Sequence, residues 1–506
     1  MTLLKLICHN KVPAIIALVA LAEILSLFSY LTPVLIPVFF IILAVVVLAA
    51  SLKDLRYGIF ILLAELFIGG KGYLFFLEVG DNQLSIRIAF WLIIMAVWSG
   101  KKLFGLYKEK KNQINRPAFR ENLDLIIFFG FLALALINGF LNHNGFRNIF
   151  FDFNGWLYFL LAFPILDTLK TKDLKILFKI FIACVIWVSA KSLIFFYAFS
   201  HFNEASIFPY YRWIRDTGIG EITLTPSGFY RIFFQSQVYA LAGIFIVFGL
   251  ILPKLKDGKI KKDFLKPLVL IALFLSVILI SFSRSFWVGL AVGLFLIFIT
   301  VFLKFGLKAS GKLALILSGS AISGFLIIFL TAYFPLPKPI AVFGAKDFTE
   351  RIGGLDESGA SSRVAQLAPL WNEIKSSMVI GRGFGKTVTY KSFDPRVLES
   401  SPDGRYTTYA FEWGWLDIWL KLGLIGLLAY IILIARVSLQ AIRSLGKSAP
   451  GYEKYKYVNL GIIIGLASIC ATSVFSPYLN HPLGIGYLIL TLAVTHITQK
   501  HNLSGE

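Results

Sequence analysis

The chain has 506 residues, of which 57% are hydrophobic and only 15% charged, with a formal net charge of +21 at pH 7. So large an apolar fraction exceeds what a soluble globular protein of this length needs and fits an all-α polytopic membrane protein. The apolar runs are continuous rather than alternating, which argues against a transmembrane β-barrel, and the positive charge is better explained by membrane topology than by nucleic acid.

The first apolar run begins near Val12. No small-residue cleavage pattern follows it and a second run comes at once, so it reads as a retained helix rather than a signal peptide. Candidate spans are centred near residues 21, 41, 64, 92, 131, 159, 187, 242, 275, 295, 323, 423, 465 and 490, giving about 12–14 transmembrane helices. The organisation expected is a bundle of about eleven spans over 1–334, a large polar loop over 335–409 with short interfacial helices, and about three spans over 410–506. Basic residues crowd alternate gaps: Lys53 and Arg56, the stretch from Lys101 to Arg120, Lys170 with Lys172 and Lys175, the stretch from Lys254 to Lys266, Lys304 with Lys308 and Lys312, and Arg436 to Lys456. By the positive-inside rule these gaps and both termini face the cytoplasm, and the 335–409 loop faces outward, as does the segment from His201 to Arg231. No energy carrier is present outside, so a reaction there needs a pre-activated substrate.

Cys8, Cys184 and Cys470 show no metal-ligand spacing, and His201 and His481 are single loop histidines of the kind that are more often structural. Arg231 is the last charge before an apolar run whose first turns, Gln235-Ser236-Gln237, are too polar to face lipid, so this end is expected to line a cavity. Arg284 is held at the membrane boundary in Ser283-Arg284-Ser285 between two adjacent helices. Each arginine reads either as an interface anchor or as a fixed guanidinium for a phosphate or carboxylate, which its fork bonds in a bidentate way. In the long loop, Val364, Leu367, Leu370, Trp371, Ile374 and Met378 recur at helical spacing after Arg363, with Pro369 expected to kink or split the helix. Glu412 follows Tyr409 where the loop enters the next helix. It is either a carboxylate favoured by the helix dipole or a partly desolvated general base. Asp417 and Lys421, four apart on that helix, are placed to pair with each other.

Three segments resemble the O-antigen ligase and O-antigen polymerase superfamily. Arg231 to Ala240 is similar to the family's Arg followed by a Phe and a short polar patch. Ser283-Arg284 is similar to its Ser-Arg. Arg363, Trp371, Gly381, Gly383 and Gly423-Leu424-Ile425-Gly426 are similar to its Arg, Trp, Gly-x-Gly and Gly-Leu-x-Gly. The chain departs from the ligases by carrying Glu412-Trp413 where they have His-Asn, which leaves room for a polymerase. The resemblance implies glycosyl transfer on the outer face from a polyprenyl-diphosphate-linked glycan to a hydroxyl of a second glycan or of lipid A core. No cofactor or metal is implied. Arg231, Arg284 and Glu412 would be catalytic, and Arg363, Gln235, Gln237, Trp371 and Tyr409 would bind substrate. A chain-length regulator is a candidate partner. The other readings are a transporter of lipid-linked sugars or small anions and a cell-wall glycosyltransferase.

Overall fold

A computed structural model describes residues 12–80, 82–108, 123–225, 228–256, 264–340, 344, 358–444 and 453–504. The basic stretches at 109–122 and 257–263, the residues between 445 and 452, and Cys8 lie outside the described residues. Within them the chain forms the helices α1 (Val12–Leu31), α2 (Leu35–Lys53), α3 (Leu55–Ile68), α4 (Ile86–Lys108), α5 (Leu123–Leu141), α6 (Phe146–Phe153), α7 (Ala162–Thr168), α8 (Thr171–His201), α9 (Glu204–Asp216), α10 (Val238–Lys256), α11 (Leu265–Ile280), α12 (Arg284–Ala332), α13 (Ser358–Ser376), α14 (Pro395–Ser400), α15 (Gly414–Ser444), α16 (Glu453–Thr472) and α17 (Pro482–Ser504).

Ten helical segments among the described residues are long and apolar enough to cross a membrane. Every expected span centre falls in a helical segment. The smaller count arises because α3 has 14 residues and α11 has 16, because the apolar part of α16 (Lys456–Thr472) is also short, and because α12 is counted once. At 49 residues α12 is about twice the length that crosses a bilayer. It breaks at Gly306, which has φ 76° and ψ −177°, between Lys304 and Lys308. Its two halves therefore correspond to the spans expected near 295 and 323. Helix α10 is central, with 89% of its apolar window buried. It packs on α11, α12 and α16. Helices α1 and α2 turn Leu21, Ile24, Ile41 and Val45 outward, exposed as lipid-facing side chains are.

Three antiparallel hairpins decorate the helix ends: Phe76–Val79 with Asn82–Ser85 (β1–β2), Gly220–Leu224 with Tyr230–Phe234 (β3–β4), and Val388–Lys391 with Arg405–Thr408 (β5–β6). The third lies in the long loop, whose sequence shows no strand pattern, because each strand is only four residues long. The same loop carries α13, which continues through Pro369 rather than splitting there. Its inner face is anchored by Leu370 and Ile374, both almost fully buried with Val388, Phe411 and Leu420, whereas Val364 and Leu367 remain exposed.

The loop is fastened to the bundle by a backbone exchange at a broken helix. Helix α15 is interrupted at Gly423, φ 70° and ψ 178°, a conformation open essentially only to glycine. The groups released there are taken up by residues 378–385. Arg382 N–H donates to Leu420 O at 2.7 Å and Gly383 N–H to Lys421 O at 3.1 Å, while Leu424 N–H donates back to Met378 O at 2.9 Å. The strap also reaches α5, where Phe384 N–H donates to Ala135 O at 3.2 Å and Asn138 Nδ2 donates to Gly381 O at 2.9 Å. Backbone released inside a membrane bundle needs such partners, because hydrocarbon supplies none.

A Cβ at Gly423 would lie 2.2 Å from Val379 O, whereas one at Gly311 in α12 would meet nothing within 4 Å. Gly423→Ala should therefore lower the thermal midpoint of the purified protein in detergent, and Gly311→Ala should leave it unchanged or raise it slightly. Equal midpoints for the two variants would disprove the fastening role of this break.

Candidate active site

At the end of the bundle where the strap docks, three arginines come from three separate elements. Arg231 is in β4. Its Nε donates to Ser281 O at 2.6 Å, and its guanidinium lies 5.0 Å from the Phe233 ring centre. Ser281 begins the tight turn between α11 and α12, and Phe282 in that turn has a left-handed φ of 47°, a strained conformation of the kind found at functional sites. Arg284 is the first residue of α12, so Arg231 braces the turn that presents it. Arg363, on α13, lies within electrostatic reach of both Arg231 and Arg284 and forms an ion pair with Glu412.

The Glu412 segment is docked on α13 by two further bonds. Glu412 N–H donates to Gln366 Oε1 at 3.2 Å, and Trp413 Nε1 donates to Arg363 O at 2.9 Å. Sequence reasoning puts Glu412 in the first turn of a helix as a partly desolvated carboxylate. The structure corrects both points: α15 starts at Gly414, and the Glu412 side chain is 51% exposed, because the salt bridge and the Gln366 cap hold it on the open side of α13. Desolvation lowers Arg231 to about 10, with Arg363 adding to the effect and Glu221 and Glu412 opposing it. The guanidinium is still charged at neutral pH.

The remaining site residues divide. Gln235 begins the short 3-10 turn ahead of α10 at the foot of β4, and its carbonyl accepts from Tyr478 Oη at 3.3 Å. Gln237 is fully buried and turned inward. Its Oε1 accepts from Phe234 N–H at 3.1 Å, and its Nε2 donates to Ser192 Oγ at 3.0 Å and Ile232 O at 3.2 Å. It ties the hairpin to α8 instead of facing the arginines. Trp371 packs edge-on against Trp419, 5.5 Å between ring centres. Tyr409 lies apart from the arginines, near Asp152, Lys421, Tyr73 and Arg147, and burial pushes its phenol up. His201 is buried, with its ring nitrogens 2.8 Å from Tyr197 O and Phe334 O, so it is structural as expected.

A second cluster lies behind the strap. Lys421 Nζ is 2.5 Å from both Asp417 Oδ1 and Asp152 Oδ1, and all three side chains are buried. The expected Asp417–Lys421 pair is thus present, with Asp152 as a third member that sequence reasoning missed. An acid flanked by phenylalanines in an apolar stretch is the signal that was available. Asp152 Oδ2 also accepts from Gly385 N–H at 2.8 Å, so the cluster holds the end of the strap. His481 is solvent-accessible but set in dense protein, where desolvation and then Lys71, Lys421 and Arg87 push its pKa down to about 4.

An arginine cluster at one end of a polytopic helical bundle, with a carboxylate beside it, is chemically suited to hold an anion at a membrane surface. Residues 268–431 match the family model described as O-antigen ligase, and this supports the chain's membership of the O-antigen ligase and polymerase superfamily. The match covers Arg284, Arg363, Trp371, Tyr409, Glu412 and both glycine motifs, and does not reach Arg231, Gln235 or Gln237. It supports glycosyl transfer of the ligase and polymerase type in general, by a multi-pass bacterial membrane protein with lipid-linked glycans as the substrate class. No curated protein and no solved structure matches the chain.

Lys421→Ala would leave two buried carboxylates without their cation, a change that costs about 3–5 kcal/mol. Asp152→Asn keeps an acceptor for Gly385 N–H and should cost less. Thermal unfolding in detergent reads both, and a wild-type midpoint for Lys421→Ala would remove this cluster from the framework of the site.

Proposed function

We propose that the protein transfers a glycan from a polyprenyl-diphosphate carrier to an acceptor hydroxyl at the outer face of the bacterial inner membrane, most naturally to polymerise the repeat units of a surface polysaccharide. The observation that carries this reading is the meeting of Arg231, Arg284 and Arg363 beside Glu412. The arginines neutralise the diphosphate as it leaves, in place of a divalent ion. The acceptor oxygen attacks the anomeric carbon, the bond from that carbon to the diphosphate oxygen breaks with the electron pair going to the diphosphate, and the hydroxyl proton passes to Glu412, with inversion at carbon. Arg363 orients the carboxylate through their ion pair. In this reading 1–334 and 410–506 form the membrane bundle, 335–409 is the outward loop, and both termini are cytoplasmic, with the alternating basic gaps as support. Glu412 in place of the ligases' His favours polymerisation over ligation to lipid A core.

Reconstituted liposomes given a polyprenyl-diphosphate-linked oligosaccharide should yield a ladder of repeat multiples. Consumption of the donor only after lipid A core is added would mean ligation instead. Intact donor recovered on the opposite leaflet would mean transport. Arg231→Ala and Arg284→Ala should each slow transfer by about a hundredfold or more, and the corresponding Lys variants should restore only part, since a point charge does not bond two oxygens as a fork does. Glu412→Gln should fall about as far as Glu412→Ala, and activity retained in Gln would end the proton-acceptor role.

A further inference from the structure

At the end of the bundle remote from the arginine cluster, the start of α3, the second half of α4 and the α7–α8 turn line an open cavity of about 500 Å³. The orientation follows from α3 itself. Arg56 in its first turn lines this cavity, whereas Glu65 near its last turn pairs with Arg87 at the other end. Six cations line the cavity: Lys53, Arg56, Lys101, Lys102, Lys170 and Lys172. Asp54 and Asp167 in the lining and Asp173 beside Arg56 oppose them, and each is already engaged. Asp54 is bonded by Arg56, and Asp167 by Lys102 at 2.9 Å and by Trp98 Nε1 at 2.8 Å. Among the described residues no ion pair includes Lys53, Lys101, Lys170 or Lys172. Lys101 Nζ has a backbone acceptor, Ser51 O, at 3.1 Å.

An ordinary basic loop spreads its charges over a convex, solvated surface. Here two interhelix turns and helix α4 bring theirs to one concavity of a size that small ligands fill, and four lysines there are in no ion pair among the described residues. We infer that this cavity binds a phosphate-bearing anion. Trp98 in its wall is stacked on Phe163, 6.2 Å between ring centres, and an aromatic pair beside lysines at a helix end is the arrangement of a membrane interface. The ligand is therefore the headgroup of an anionic phospholipid of the adjoining leaflet, with the acyl chains lying against the bundle. The site is independent of the glycosyl-transfer reading.

Native mass spectrometry of the protein taken from detergent, with phosphatidylglycerol or phosphatidylcholine added, tests this. Phosphatidylglycerol should be retained in preference. The triple variant Lys101→Gln/Lys170→Gln/Lys172→Gln should bind it at least about tenfold more weakly, and the same three positions changed to Arg should keep it. The exposed single change Lys172→Glu gives the same readout if the triple variant is poorly folded. Lys266→Gln/Lys308→Gln, at other basic helix ends, should have no effect. Glycerol phosphate added in excess separates the two sources of this chemistry: persistence of the lipid supports the headgroup, and displacement supports a soluble phosphate ester. Equal retention of the two lipids, undiminished binding in the lysine variants, or an equal loss in the control pair would overturn the site.

Discussion

The interruption of α15 at Gly423 is the constraint on which the rest of the site depends. A helix that breaks inside a bilayer releases amides and carbonyls that lipid does not satisfy. The strap of residues 378–385 supplies their partners, and only because glycine also stands at Gly381 and Gly383, where the backbones pass too closely for side chains. Gly381 and Gly423 are thus two halves of one contact, 42 residues apart in sequence, and Gly383 passes as closely to Gly139 of α5. The Gly381–Gly423 contact sets the end of α13 against the first half of α15; α13 carries Arg363, and the segment leading into α15 carries Glu412.

Electrostatics completes what the backbone begins. Arg231, Arg284 and Arg363 would repel one another without nearby acids, and Glu412 and Glu221 provide part of that compensation. At a membrane boundary clustered guanidinium groups attract a multivalent anion more strongly than they would in water. The brace from Arg231 to Ser281 O, across the strained Phe282 turn, keeps two of these charges from separating. Behind the strap, Lys421 with Asp152 and Asp417 does the same for the broken helix. Removing one member of a buried ion cluster leaves the others uncompensated.

The bundle is polar at both ends for different reasons. At the site end, cations come from a hairpin, a helix start and a loop helix, and they meet a carboxylate. At the remote end, cations come from two interhelix turns and from α4 and meet a cavity. Helix α3 connects the two over 14 residues, with Arg56 in its first turn and Glu65 bonded to Arg87 near its last.

Composition alone determined the helical membrane class, because nothing but burial in lipid accounts for so many continuous apolar runs, and span positions followed from the same runs. Arg231 and Arg284 were also legible, since charge at a membrane boundary is costly enough to be conspicuous in an apolar sequence, whereas Arg363, in a polar loop, stood out only by the family resemblance. The environment of each residue was not legible. Gln237 faces inward to hold a hairpin, and strands of five residues are too short for a pattern that shows β4 in the sequence. Glu412 is exposed and paired because α13 passes through Pro369 and carries Arg363 to it. Asp152 joins Lys421 across 269 positions. Local sequence sets which segments are buried in the membrane, by hydropathy. Which polar groups meet among those segments is a long-range matter of helix packing, and only the tertiary structure decided it.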